Sequence, residues 1–427
     1  MIARLVLGDL VASWRLWAAS WAVMTAGALV ALVCAADFST AATLADPVDA
    51  AGLRNHALVF SAMNGLVVLV ALTVLVSFTV QLQRRTYALW QLSGVGPSLV
   101  LRVVVLQALL LAAVSLAVAL AGLPWVLDGV MTVLASPLRS PGAPALTATL
   151  GVPEALVASG AFAVVVVASA LGAGRSAART PLLTAVREPD QEVARPRRAR
   201  LVTTAVTGAA ALALLVLSAL GAQGPSALFL VPAMASVVAG SPWAVPWLLD
   251  RWTRLVPSRS DAWFLARRSA LHHASRSQAA VSLLAVTGML GSLTGLAGVW
   301  DDPAYYLNGL ALFGTPVALV LVTGAATVAM TTRGRRRDTA LLVVGGGTAS
   351  LALRAAVLEA LVVVVTAALV VVPAAVVSIP GTIGSPLDTL RPLPAVLLLG
   401  VVVMVAVTVA PVLSARRGPV VRHLADA

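Results

Sequence analysis

Residues 84–109 read RRTYALWQLSGVGPSLVLRVVVLQAL, and residues 336–361 read RRDTALLVVGGGTASLALRAAVLEAL. At a constant offset of 252, without gaps, 13 of the 26 positions are identical. The pairs include Arg84/Arg336, Arg85/Arg337, Leu89/Leu341, Gly94/Gly346, Ser98/Ser350, Arg102/Arg354 and Leu106/Leu358. Two apolar helices can match through composition alone, but shared Arg, Gly and Ser positions point to duplication. Each copy runs from paired arginines through a short semi-polar helix and a glycine break into a long apolar helix. Gly permits left-handed dihedrals and Pro disfavours helix before it, so Gly94, Gly96 and Pro97 are read as a hinge. Gly345, Gly346 and Gly347 are the hinge of the second copy. Ser98 and Ser350 are the expected N-caps of the helices that follow.

The chain around these segments is apolar. Of its 427 residues 60% are hydrophobic and 11% charged, against about a quarter charged in a soluble domain. The apolar residues gather in runs near 20 residues, the length that crosses a ~30 Å hydrocarbon core as helix. Ten such spans are predicted, at 14–35, 57–82, 100–122, 152–173, 201–222, 228–249, 277–299, 307–331, 349–374 and 393–414. The outer connections are then 36–56, 123–151 and a tight link at 300–306, too short for a folded extracytoplasmic domain. PWVLDGVMTVL, within 123–151, is read as a re-entrant or interfacial helix.

Arginine placement sets the orientation. With the N-terminus cytoplasmic, only Arg54, Arg139 and Arg391 of the 29 basic residues fall outside, while Asp37, Asp46, Asp49, Asp128, Glu154, Asp301, Asp302 and Asp388 do. Both termini are therefore expected in the cytoplasm, with the chain in the plasma (inner) membrane. The net charge of +12 is a topology signal and an attraction to anionic inner-leaflet lipids, not a nucleic-acid surface. No lysine occurs, so the Lys of a Walker A loop is missing and this chain is not a P-loop ATPase. The single cysteine, Cys34, excludes an intrachain disulfide and a cysteine metal site. The four histidines form no metal set, no catalytic constellation is seen, and no cleavable signal peptide is evident.

The duplication extends outward. LVASWR (10–15) precedes the first span and LHHASR (271–276) the seventh; TPLLTAVR (180–187) follows the fourth and GPVVRHLA (418–425) the tenth. The predicted architecture is an all-α polytopic membrane protein of about ten transmembrane helices. Two parallel four-helix repeats, 1–190 and 262–427, are joined by a two-helix linker at 191–261, and each repeat has an amphipathic lead-in and tail. Inside the spans, Arg102 and Arg354 suit snorkelling to phosphates, and Asn64 and Gln107 suit hydrogen bonds between helices. Glu359 aligns with Gln107. It lies five residues past Arg354, on a different face, so it needs a partner on another helix, a water or a proton. A role in helix packing or coupling is expected, with a substrate or proton site as the alternative.

The paired basics, Ala-Leu helix, glycine break, Arg and Leu-Glu-Ala-Leu pattern resembles the FtsX-like permease domain of ABC transporters, the MacB and lipoprotein-release relatives. FLARRSALHHASRSQAAVSLLAVTG (264–288) looks like that family's lead-in to a first span. Gln107 departs from the family's Glu. The resemblance implies that Arg84, Arg85, Tyr87, Leu89, Trp90, Arg336, Arg337 and Leu341 belong to coupling helices docking on a separate ABC ATPase homodimer or heterodimer at the cytoplasmic face. ATP and Mg would be held by that partner and no cofactor by this chain. Implied function is transport of an amphipathic substrate such as a lipid, peptide antibiotic or hydrophobic drug. An ATP-driven membrane regulator and an ion-coupled secondary transporter are the alternatives.

Overall fold

A computed structural model describes residues 2–135, 147–178, 198–219, 230–257, 260–272, 274–296, 303–330, 341–342, 344–378 and 390–415. The paired arginines Arg336 and Arg337, and both tail segments, lie outside the described residues. Those described form helices and no strand. The helices are α1 (Ile2–Ala12), α2 (Trp14–Thr43), α3 (Pro47–Leu82), α4 (Arg84–Leu92), α5 (Pro97–Ala135), α6 (Val152–Ala178), α7 (Arg198–Ala219) and α8 (Leu230–Leu255). There follow α9 (Asp261–His272), α10 (Ala274–Leu296), α11 (Pro303–Met330), α12 (Ala349–Ser378) and α13 (Pro392–Ala415).

Six helical segments are long and apolar enough to cross a membrane: 16–43, 47–82, 97–132, 152–178, 349–376 and 392–409. The chain is therefore an all-α protein suited to a membrane. They correspond to the expected spans one to four, nine and ten. Shorter apolar helical stretches at 201–214, 277–292 and 314–327 fall where spans five, seven and eight were expected. The sixth predicted span lies in α8, which Pro242 and Pro246 interrupt and which ends in Asp250, Arg251 and Arg254.

Two helices run far beyond the predicted boundaries. At 1.5 Å per residue, α3 with 36 residues and α5 with 39 measure about 54 and 58 Å, nearly twice a ~30 Å hydrocarbon core. The predicted outer loop 36–56 is mostly helix, with only residues 44–46 between α2 and α3. Asp46 N-caps α3 through the Val48 amide at 2.8 Å, and Pro47 supplies the φ that a first turn needs. PWVLDGVMTVL is no separate re-entrant helix. It continues α5 straight through Pro124. A proline is tolerated there because other groups can satisfy the carbonyl it frees.

The chain divides into two compact units. One comprises residues 1–189 with 299–319, the other residues 190–298 with 320–427, and α11 runs from the first grouping into the second. In unit 1, α2, α3, α5 and α6 form a four-helix bundle, with α1 against α5 and α2 and with α4 against α3 and α6. Ser20 and Thr79 share a buried 2.8 Å hydrogen bond between α2 and α3, worth about 0.6 kcal/mol in such a setting. In unit 2, α10, α12 and α13 pack together, α9 lies along α12, and α8 joins α10. The predicted linker helices thus fall within the second unit. Gly288 lies flush against Val371, where a Cβ would stand 2.8 Å from its methyl carbons, so α10 and α12 meet at close range.

Candidate functional site

The knuckle after α3 is built on a single turn residue. Gln83 ends α3 and starts α4, and its side chain reaches in both directions. The Tyr87 hydroxyl donates to Gln83 Oε1 at 2.6 Å, and Gln83 Nε2 donates to Ser13 Oγ at 2.8 Å. Ser13, between α1 and α2, donates to the Asp9 carbonyl at 2.6 Å. The Asp9 carboxylate accepts from Gln107 Nε2 of α5 at 2.8 Å. One hydrogen-bonded line thus joins the knuckle, the lead-in helix and the returning helix.

This line decides which face of α4 is available. Tyr87 and Ala88 are buried, and Trp90 stacks edge-on to Tyr87 with centroids 5.5 Å apart. The opposite face shows Arg85, Thr86, Leu89 and Leu92, the two leucines being 50% and 56% exposed. Tyr87, predicted among the docking residues, therefore braces the knuckle from behind. Arg84 and Trp90 are half-buried. Burial, reinforced by the charge of Asp9, raises the Tyr87 pKa and keeps its hydroxyl a donor. Burial also raises the Asp9 pKa, partly offset by the Gln107 amide.

The break that follows has a defined backbone. Gly94 has φ +95° and Gly346 has φ +90°, positions 252 apart. Val95 donates to the Trp90 carbonyl and Gly347 to the Leu342 carbonyl, each at 2.9 Å, a six-to-one bond that closes a helix end over a left-handed residue. Gly345 and Gly347 are small for packing, since a Cβ on Gly347 would come within 2.8 Å of the Leu342 carbonyl. A Cβ on Gly96 would meet only the Ser98 hydroxyl, at 4.0 Å.

The caps differ from prediction. α5 begins at Pro97, so Gly96, not Ser98, holds the N-cap position. In the second copy Thr348, not Ser350, caps α12 through the Leu351 amide at 3.2 Å. The described part of that knuckle exposes Leu341 and Val344.

The second unit repeats the lead-in tie with other chemistry. Ser269 of α9 donates to Glu359 Oε2 of α12 at 2.9 Å, and Glu359 is buried. One off-helix partner of Glu359 is thus a hydroxyl on the lead-in helix. Arg102 and Arg354 are both exposed, each on the stretch of helix ahead of its tie. Among the described residues, no hydrogen bond from the Asn64 amide nitrogen to another helix is seen. That nitrogen bonds back to the Phe60 carbonyl of its own helix at 2.9 Å.

At the other end of unit 1 the structure joins two residues that the sequence had left apart. Asp37, predicted in an outer loop, is completely buried in α2, and its Oδ2 lies 3.1 Å from His56 Nδ1 of α3. The His56 ring stacks on Phe60 at 5.6 Å. Ser39 Oγ accepts from the Gly151 amide and Thr40 Oγ1 from the Thr149 amide, tying the chain before α6 to α2.

Asp9, Ser13, Gln83 and Ser269 are the working residues the sequence did not reveal. Asp9 carried the one usable signal, being the only acid before Asp37. No family model matches the chain, and no curated protein matches it.

Proposed function

We propose that the chain is the transmembrane permease subunit of an ABC transporter. It couples ATP hydrolysis by a separate ATPase dimer, holding ATP and Mg, to extrusion or extraction of an amphipathic substrate. The reading takes the protein as a ten-span, duplicated permease of the plasma (inner) membrane with both ends in the cytoplasm. The observation that carries it is the knuckle: α4 is braced through Tyr87, Gln83 and Asp9 while Arg85, Thr86, Leu89 and Leu92 face outward. A short helix with a cationic and apolar outer face, rigidly joined to two long helices, suits receipt of force from a partner. The same left-handed break recurs at Gly346, ten residues after the second pair of arginines in the sequence, which suits a second ATPase subunit.

The test is co-purification with the ATP-binding-cassette ATPase encoded nearest to this chain. Arg85→Glu with Leu89→Asp should abolish the complex while membrane insertion survives. A complex retained by the double variant rejects the docking role. Solute transport down an ion gradient by the purified chain alone would favour the secondary-transporter reading instead.

A further inference from the structure

The corner between α8 and α9 carries one device twice. On α8, the Arg251 guanidinium lies over the Trp247 ring at 5.8 Å; on α9, that of Arg268 lies over the Phe264 ring at 5.6 Å. In both, an aromatic residue precedes an arginine by four, the spacing that places two side chains on one helix face. All four are exposed, Trp247 by 61% and Phe264 by 59%. For rings of this size such exposure is costly in water but favourable at the headgroup depth of a bilayer.

The depth of the corner follows from its anchors on α12. Trp252 Nε1 donates to Thr366 Oγ1 at 3.0 Å, Ser269 holds Glu359, and Leu249 and Ala270 pack on Val362. Glu359 is the last charged residue of α12, and the rest of that helix is charge-free. The corner therefore sits where α12 passes from charged to apolar, at the edge of the hydrocarbon.

Its charges are not all committed. Asp250 is shared by Arg254 and Arg267, at 3.1 and 3.2 Å. Although desolvation works the other way, those two guanidinium groups lower the Asp250 pKa. Arg251 and Arg268 stand outside that ion cluster, each set over the ring four residues before it. Asp261, in the first turn of α9, is the acid on the Phe264 side, two turns ahead of Arg268.

We propose that this corner is a binding site for anionic phospholipid headgroups, with Arg251 and Arg268 each offering a guanidinium to phosphate and Trp247 and Phe264 seated among the upper acyl carbons. Guanidinium groups suit the role because they bind phosphate oxygens bidentately and shed water more readily than ammonium. The site requires that the chain lie in a membrane and does not depend on the transporter reading.

The test reconstitutes the full chain in nanodiscs of phosphatidylcholine containing a small fraction of phosphatidylglycerol and measures retained lipids by mass spectrometry. Enrichment of phosphatidylglycerol is expected, falling about fivefold for Arg251→Gln and again for Arg268→Gln, at the usual worth of one arginine beside an anionic surface. Arg254→Gln, whose guanidinium is held by Asp250, should change it little. Equal loss from Arg254→Gln, or no enrichment in the wild-type chain, overturns the site. Should the glutamine variants misfold, a salt series on the wild-type chain still decides. Enrichment must weaken as salt rises, and salt-independent enrichment refutes the arginine site. Inorganic phosphate at matched ionic strength that displaces the lipid would reassign the pocket to free phosphate. A bound protein lost with Arg251→Gln while lipid enrichment persists would make the face a protein dock.

Discussion

The two lead-in ties solve one problem with opposite chemistry. In unit 1 the acid sits on the lead-in helix, Asp9, and the amide Gln107 on the returning helix. In unit 2 the acid sits on the returning helix, Glu359, and a hydroxyl on the lead-in, Ser269. Each pairing contains one carboxylate and one neutral donor. A tie at the edge of an apolar region can hold one negative charge if a donor meets it, and a second carboxylate would have no donor. What the two ties share is a carboxylate met by a neutral donor, with the carboxylate on either helix. Gln107 stands opposite Asp9, while Glu359, its counterpart at the offset of 252, stands opposite Ser269.

The comparison is most sharply challenged by Gln107→Glu. By residue identity it makes the first copy resemble the second, yet it sets two carboxylates against each other. A loss of about 3 kcal/mol is expected at neutral pH, easing under acid as the pair shares a proton. Thermal unfolding in detergent across pH measures it, and the double variant Asp9→Ser with Gln107→Glu, which copies the unit 2 pairing, should recover most of the loss. If the single variant is as stable as the wild type, the one-charge rule is wrong.

The breaks should respond alike where the ties do not. Gly94→Val and Gly346→Val each force a branched side chain into a left-handed backbone, costing about 1–2 kcal/mol. Gly96→Ala, whose Cβ would meet only the Ser98 hydroxyl at 4.0 Å, should cost far less. A large asymmetry between Gly94 and Gly346 in protease sensitivity would separate the two knuckles.

The smallest effect is Asp9→Asn. The folded state raises the Asp9 pKa, chiefly through burial, so folding favours the protonated acid. The contribution of Asp9 to stability is accordingly greatest at low pH and declines as pH rises above the unfolded value of about 3.9. An asparagine keeps an acceptor for Gln107 without that penalty, so the variant should match the wild type in acid and exceed it by less than about 1 kcal/mol at pH 7. A variant less stable at pH 7 would show that the Asp9 charge is needed.

Much of this architecture can be read from the chain. Gly94 and Gly346 were legible because a positive φ leaves a residue-level mark, and Glu359 because a buried acid demands an answer. The partners were not: Asp9, Gln83 and Ser269 reach their contacts only through tertiary packing, and the lead-in alignment places Gly8, not Asp9, over Ser269. PWVLDGVMTVL, read as a separate re-entrant or interfacial helix, is part of α5, and Asp37 misled because a lone acid near a predicted span end reads as loop until His56 is brought beside it. Ser98 yielded the cap position to a rule equally visible in the sequence, the fitness of Pro97 for a first helical turn.

The overhang of α5 has a mechanical consequence. A rod about 58 Å long, with one face buried all the way from Val100 to Met131, moves as one piece and has arms of almost 30 Å about its midpoint. A tilt of only about 10° would carry the Pro97 end some 5 Å sideways and the Ala135 end an equal distance the opposite way. A small push at one end would arrive at the other as a stroke longer than a hydrogen bond, with no helix needing to unwind.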